Sequence, residues 1–233
     1  MLEAVTFDHW GTLVDADHSN KNERLAFMLE RVPDLDRGAL SRAWDISWSR
    51  FHELLFSGIS PTTSTFLSFV LDELGIALDP ATFAAVLSYW REAMLDAPPA
   101  PLPGVFEVLE EVRRRGLRIG LISDTGVTPG VVLQERMHQA GLLPYFDQLT
   151  FSDEIGVTKT RPYPFRHTAR ALGVALDSML HVGDLPETDI RGGRAAGCHT
   201  ALLLEVSQRR DGIPDADVTI ERLVDLPAVL DSF

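Results

Sequence analysis

Cysteine is nearly absent: Cys198 is the single one in 233 residues. No internal disulfide can form, which points to a reducing compartment. Lysine is almost as scarce, since only Lys21 and Lys159 of the 21 basic residues are lysines. A lone internal lysine matters because a compact ammonium on a flexible stem does a different job from a planar guanidinium. No stretch has the apolar length of a membrane span. The opening MLEAVTFDHW lacks the basic segment and small-residue cleavage site of a secretion signal. We expect a cytoplasmic protein that does not engage a membrane. Positive charge is in deficit, with 34 acidic residues and a formal net charge of -13. That excludes a protein that grips nucleic acid through its phosphates, and an anionic substrate must be drawn by local positive groups or a metal. Nothing in the sequence sets an oligomeric state.

What the chain does have is a 45% hydrophobic content, enough for a substantial core. AVTF, at the end of an apolar run from residue 2 to 7, reads as a buried strand and delivers Asp8 to a loop. From residue 16 to 98 there is almost no strand signal. ALSRAWDISWSRFHELLF spaces Leu40, Trp44, Trp48, Phe51 and Leu55 by three and four, one apolar face of a helix. TSTFLSFVLDELG and DPATFAAVLSYWREAML repeat that pattern between Gly and Pro breakers. The aromatic stripe is expected to pack against other helices rather than to line a pocket. The proline-rich APPAPLPG, residues 97–104, is the return linker. After it, helices alternate with the apolar segments LRIGLIS, FDQLTF, SMLHVGD and HTALLL. Such alternation implies right-handed crossovers and a parallel sheet covered on both faces. The fold class is therefore α/β: a Rossmann-like parallel sheet core, residues 1–15 and 99–233, with an inserted helical-bundle cap domain, residues 16–98.

In open parallel sheets, chemistry lies beyond the carboxyl ends of the strands. Those exits carry Asp8, Ser123 with Asp124, Asp153 with Lys159 after it, and Asp184, with Asp189 five residues further on. Each has an ordinary structural use as a strand terminator, turn or helix cap. Together they gather carboxylates that repel and raise one another's pKa values, a cost that a hard divalent cation removes.

The segments FDHWGTL, GLISDT, SDEIGVTKTRPYPF and HVGDLPETDIRGGRAAG, in this order, resemble the four motifs of the haloacid dehalogenase-like hydrolase superfamily, in its branch with a helical cap after the first motif. The closing DADVTIERLVDLPAVL is similar to its last strand and helix. The resemblance implies that Asp8 attacks phosphorus and becomes an aspartyl-phosphate. It implies that Asp8, the backbone carbonyl of Trp10 and Asp184 hold Mg2+, with Asp189 as a ligand through water or as an anchor behind the ligands. Ser123, Asp124 and Lys159 would meet the substrate phosphoryl group, with Thr12 supporting the motif turn.

The sequence departs from that pattern twice. Thr160 and Arg161 stand between Lys159 and Pro162, where the motif usually has proline at once. Trp10 stands where phosphatases of this kind carry an aspartate that protonates the leaving group, help worth ~10²–10⁴-fold. Three readings follow: a Mg2+-dependent phosphatase of a small phosphorylated metabolite, a 2-haloacid dehalogenase, whose halide leaves without a proton, and a phosphate-binding member with weak turnover. The retained acidic pair in GDLPETD ranks the phosphatase above the dehalogenase, which needs no metal. His9 is expected to face away from Asp8, as successive residues of an extended chain do. Among cap residues, Arg24, Arg42, Arg50, His52 and Arg91 are candidates to reach an anionic substrate, and the cap is expected to swing on linkers near residues 14–19 and 97–104.

Overall fold

A computed structural model describes residues 1–15, 20–95 and 100–233. Residues 16–19 and 96–99, which include most of the first expected hinge, the start of the second and the expected domain boundaries, lie outside the described residues. Six strands form one sheet: β1 (Ala4–Phe7), β2 (Arg118–Ser123), β3 (Gln148–Phe151), β4 (Met179–Gly183), β5 (His199–Leu203) and β6 (Val218–Ile220). All pairings are parallel and the order is β3-β2-β1-β4-β5-β6. This is a Rossmann-like α/β core. β1 sits at the centre, where the strand order reverses, and its four residues are all buried because helices cover both faces.

Helices α1 (Lys21–Arg31), α2 (Arg37–Ser57), α3 (Thr63–Leu74) and α4 (Pro80–Glu92) form the inserted bundle. Local chemistry sets their ends. Asp36 accepts from the Ala39 N–H, Thr62 from Thr65, and Asp79 from Ala81 and Thr82, each satisfying amides that the first helical turn leaves open. The bundle has its own apolar core, with Leu40, Trp44, Phe51, Phe66, Val70 and Trp90 buried together. Phe66 lies at its centre, with the rings of Trp44, Trp48, Phe51 and Trp90 within 5.9 Å of it. The remaining helices, α5 (Val105–Arg114), α6 (Gly130–Gln139), α7 (Ser152–Ile155), α8 (Tyr163–Leu172), α9 (Arg191–Ala196) and α10 (Leu226–Val229), belong with the sheet. A separate apolar cluster there joins Phe7, Leu121, Val182 and Leu203 to Val105, Leu109 and Leu133.

Directed polar contacts fasten the bundle to the sheet. Arg24, buried at the start of α1, donates to the Trp90 carbonyl and to Thr128 Oγ1. Thr63 donates to the Val127 carbonyl at 2.6 Å. At the C-terminus of α2, Thr158 donates to the Leu55 carbonyl (2.8 Å) and Arg161 to the Ser57 carbonyl (2.7 Å). A cation on the last carbonyls of a helix satisfies acceptors and opposes the helix dipole. The two residues inserted before Pro162 thus include one that ties the Lys159 loop to the cap.

Phe66→Ala empties the centre of the bundle core. It is expected to lower stability by about 3–5 kcal/mol, measured as a fall in the urea midpoint at unchanged slope.

Candidate active site

The carboxyl ends of the three central strands converge. Asp8 follows β1 and its N–H donates to the Val182 carbonyl of β4, so the nucleophile candidate is held by one further rung of the ladder. Asp184 follows β4, and Ser123 ends β2. Gly11 turns the chain after β1 with φ +68°, and a Cβ there would lie 2.5 Å from Asp184 Oδ2. A side chain at position 11 would therefore be strained by the backbone and would push Asp184 away. Gly183 has a similar function on the other flank, since a Cβ there would lie 2.2 Å from the Asp189 carboxyl carbon.

Lys159 is the hub. Its ammonium is buried and lies 2.5 Å from Asp8 Oδ1 and 2.6 Å from Asp189 Oδ1. Its backbone N–H donates to Asp124 at 3.0 Å, so β2 aims the loop that β3 and α7 lead into. Asp189 is engaged at both oxygens: Oδ1 also receives His181 Nε2 at 3.0 Å, and Oδ2 accepts the Leu185 N–H at 2.9 Å. Behind it, His181 Nδ1 lies 2.9 Å from Thr6 Oγ1, its register partner across β1 and β4. Asp189 therefore anchors Lys159 through one oxygen and the Leu185 amide through the other.

The charges do not balance. Asp8, Asp124, Asp184 and Asp189 face one ammonium. Burial, with Asp189 and Asp184 nearby, raises the Asp8 carboxyl well above its ordinary value against the pull of Lys159. Burial pushes Asp184 up to about 7, helped by Asp189, and pushes Asp124 up to about 6. Burial works against ionised Asp189 too, but Lys159 and the His181 hydrogen bond outweigh it and hold that carboxyl low. Lys159 is likewise opposed by burial, yet the carboxylates of Asp189, Asp8 and Asp124 raise its pKa. Burial lowers His181, which favours the neutral imidazole.

One oxygen from each of Asp8, Asp184 and Asp189 lies within 4.8 Å of the others, a set that can hold a cation. Among the described residues, Asp184 Oδ1 is buried without a hydrogen-bond partner, and so is the Ser123 hydroxyl. A buried acceptor left open beside surplus negative charge fits a hard cation; the open hydroxyl fits a ligand oxygen. Thr12 is fully buried in the turn, its hydroxyl also without a partner among the described residues, and does not line the cavity. Asp153 stays out of the cluster and accepts the Gly130 N–H at the start of α6.

A cavity of about 280 Å3 opens above this cluster. Asp8, Asp124, Lys159 and Asp184 form its floor, with Trp10, Leu185, Thr188 and Ser207 at the side. Trp48, Phe51, His52, Leu55 and Phe56 of α2 form its roof. The aromatic stripe of α2 is thus divided: Leu40 and Trp44 pack in the bundle, whereas Trp48, Phe51 and Leu55 also line the cavity, because the C-terminal half of the helix lies over Asp8. Of the five cap candidates only His52 lines it. Arg24 is spent on docking, Arg50 pairs with Glu73, Arg42 faces solvent, and Arg91 lines a different cleft with Thr62 and Asp153. His9 lines a small void with Met94 and Met137 on the far side of the turn. Thr188 and Ser207 carried no signal of their own in the sequence, although Thr188 directly precedes Asp189.

Comparison with known proteins bears on this arrangement. A family model described as haloacid dehalogenase-like hydrolase matches residues 2–197. A glyceraldehyde 3-phosphate phosphatase of Methanopyrus kandleri is 29% identical over 64% of this chain and 65% of its own, so the chain spans just under two thirds of that relative. A phosphatase of Mycobacterium tuberculosis is 29% identical over 99% of this chain and 97% of its own. The 2-haloacid dehalogenase of Pseudomonas syringae pv. Tomato shares the fold, with a TM-score of 0.71 at 21% identity over 100% of this chain and 99% of that one. Among the described residues no helix is long and apolar enough to cross a membrane.

Asp184 keeps its proton in the folded protein up to about pH 7, whereas the unfolded chain releases it near its ordinary value of 3.8. Folding stability from this group is full below that ordinary value and is lost as pH rises towards 7. With chelator present, Tm should fall between about pH 4 and pH 7, and Asp184→Asn should flatten part of that fall. A decline of the same slope in the variant would contradict the assignment.

Proposed function

The chain belongs to the haloacid dehalogenase-like hydrolases, and on that premise we propose that this hydrolase is a Mg2+-dependent phosphatase of small phosphorylated molecules, working through an aspartyl-phosphate on Asp8. The observation that carries the proposal is the excess of buried carboxylate over ammonium around Asp8. A dehalogenase has no need of that excess, and a metal-assisted phosphatase does. The names of the Methanopyrus and Mycobacterium relatives point the same way.

In this reading Asp8 attacks phosphorus from the floor of the cavity. Lys159, held between Asp8 and Asp189, neutralises charge on the phosphoryl oxygens, and the open hydroxyl of Ser123 donates to one of them. Asp124 holds the backbone of Lys159 and so keeps the ammonium aimed. Asp189 and His181 prevent that ammonium from collapsing wholly onto the nucleophile. Asp8, Asp184 and the Trp10 carbonyl would hold Mg2+, which supplies charge neutralisation to the phosphoryl group, with Asp189 steadying the set from behind. Trp10 offers an indole where an acid is expected, and indole is no general acid at neutral pH. The division into a core of residues 1–15 and 99–233 and a cap of residues 16–98 belongs to the same proposal, supported by the two separate apolar cores.

A second reading has one observation in its favour. The cavity side formed by Trp10 and the aromatic roof is apolar and suits a small halogenated acid, the substrate class of the Pseudomonas relative. One pair of assays decides. Release of phosphate from 4-nitrophenyl phosphate is expected with Mg2+, to vanish with chelator, and to fall below detection in Asp8→Asn. Chloride release from 2-chloropropionate in chelator, without phosphatase activity, would replace this reading by the dehalogenase one.

A further inference from the structure

The cavity has a proton problem on one side and an unused imidazole on the other. On the floor, Asp8 is the attacking group, Asp184 faces the cation set, Lys159 is locked between two carboxylates, and Asp124 holds the Lys159 backbone. None is free to follow the leaving oxygen. The hydroxyls of Thr188 and Ser207 are far too weakly acidic, and the indoles of Trp10 and Trp48 weaker still. On the roof, among the described residues, His52 is the one lining side chain that can both give and take a proton.

Its setting suits a proton carrier. Nδ1 lies 2.9 Å from the Trp48 carbonyl oxygen, which can only accept, so Nδ1 carries a hydrogen. That bond fixes the tautomer: Nε2 holds the lone pair in the neutral ring and the second proton in the charged one. The ring is gripped between Trp48, at 4.7 Å and 74°, and Phe56, at 6.2 Å and 28°. Thr158 and Arg161 hold the end of α2 just beyond His52 to the loop that carries Lys159, so the roof is tied to the floor there.

We propose that His52, acting through Nε2, is the catalytic residue that takes the place of the acid missing at position 10. The assignment rests on the phosphatase reading above. In the first half-reaction an Asp8 oxygen bonds to phosphorus as the ester P–O bond breaks. The bonding pair stays on the leaving oxygen, which takes the Nε2 proton of the imidazolium and departs as an alcohol. In the second, the neutral ring takes a proton from water as its oxygen attacks phosphorus. The P–O bond to Asp8 breaks, the carboxylate is restored, and hydrogen phosphate leaves with the imidazolium regenerated.

The test compares phenyl phosphate with 4-nitrophenyl phosphate, two rings of similar shape whose leaving oxygens differ in their need for a proton, in the presence of Mg2+. Since kcat/KM reports only through formation of the aspartyl-phosphate, it isolates the acid step. His52→Gln is expected to lower kcat/KM for phenyl phosphate by roughly 100-fold or more and to change it little for the nitrophenyl ester, whose turnover also shows that the variant is folded. Equal losses on both esters, or no loss on either, would overturn the role of His52. If the wild type releases phosphate from neither, the phosphatase reading fails first and takes this one with it.

Discussion

Burying an ammonium between two carboxylates is the constraint on which the rest of this structure depends. Lys159 cannot be left unpaired inside a protein, and neither can Asp8 or Asp189, because breaking a buried ion pair leaves an uncompensated charge. The fold meets this demand from four directions. β1 brings Asp8, the turn after β4 brings Asp189, the loop after β3 brings Lys159, and Asp124 at the end of β2 pins that loop. His181 and Thr6, facing one another across the two central strands, carry the network into the sheet itself. A polar pair in the middle of buried strands is costly unless satisfied, and here the chain of contacts runs from Thr6 through His181 and Asp189 to Lys159 and Asp8.

The cluster is also unfinished by its own electrostatics. One ammonium cannot compensate four carboxylates, and burial raises the pKa values of Asp8, Asp124 and Asp184, so that uptake of protons would reduce the excess. In the proposed reading a divalent cation would do the same while leaving Asp8 ionised, the form needed for attack. The cap closes the other side with aromatic rings and one imidazole, so the cavity is charged below and apolar above. The insertion of Thr160 and Arg161 shows how the two halves are joined, since Arg161 seals the end of the helix that forms the roof.

Much of this was legible in the sequence, for physical reasons. Strand exits are marked by an apolar run that stops at a polar residue, and Asp8, Ser123 and Asp184 were marked in this way. The alternation of strands with helices gave the parallel α/β core, and three- and four-residue spacing gave the cap helices. The strand order was not readable, because it depends on which crossovers pack on which face. The commitment of Asp189 was hidden as well, since it turns on His181, a polar residue in a buried strand with no local signature. The double use of the α2 stripe was missed because helical periodicity shows that a face is buried but not what lies opposite it. His52 was one candidate among five cap residues, and only the docking of α2 separates it from four arginines directed elsewhere.

The central claim is that Asp8 and Asp184 hold the cation while Asp189 keeps its grip on Lys159. Anomalous diffraction from crystals soaked in Mn2+, a stand-in for Mg2+, tests it most directly. The account predicts one peak in contact with the Asp8 and Asp184 carboxylates, with Asp189 still bonded to Lys159 and His181. No peak at that position, or a peak bound directly by an Asp189 that has released Lys159, would contradict it.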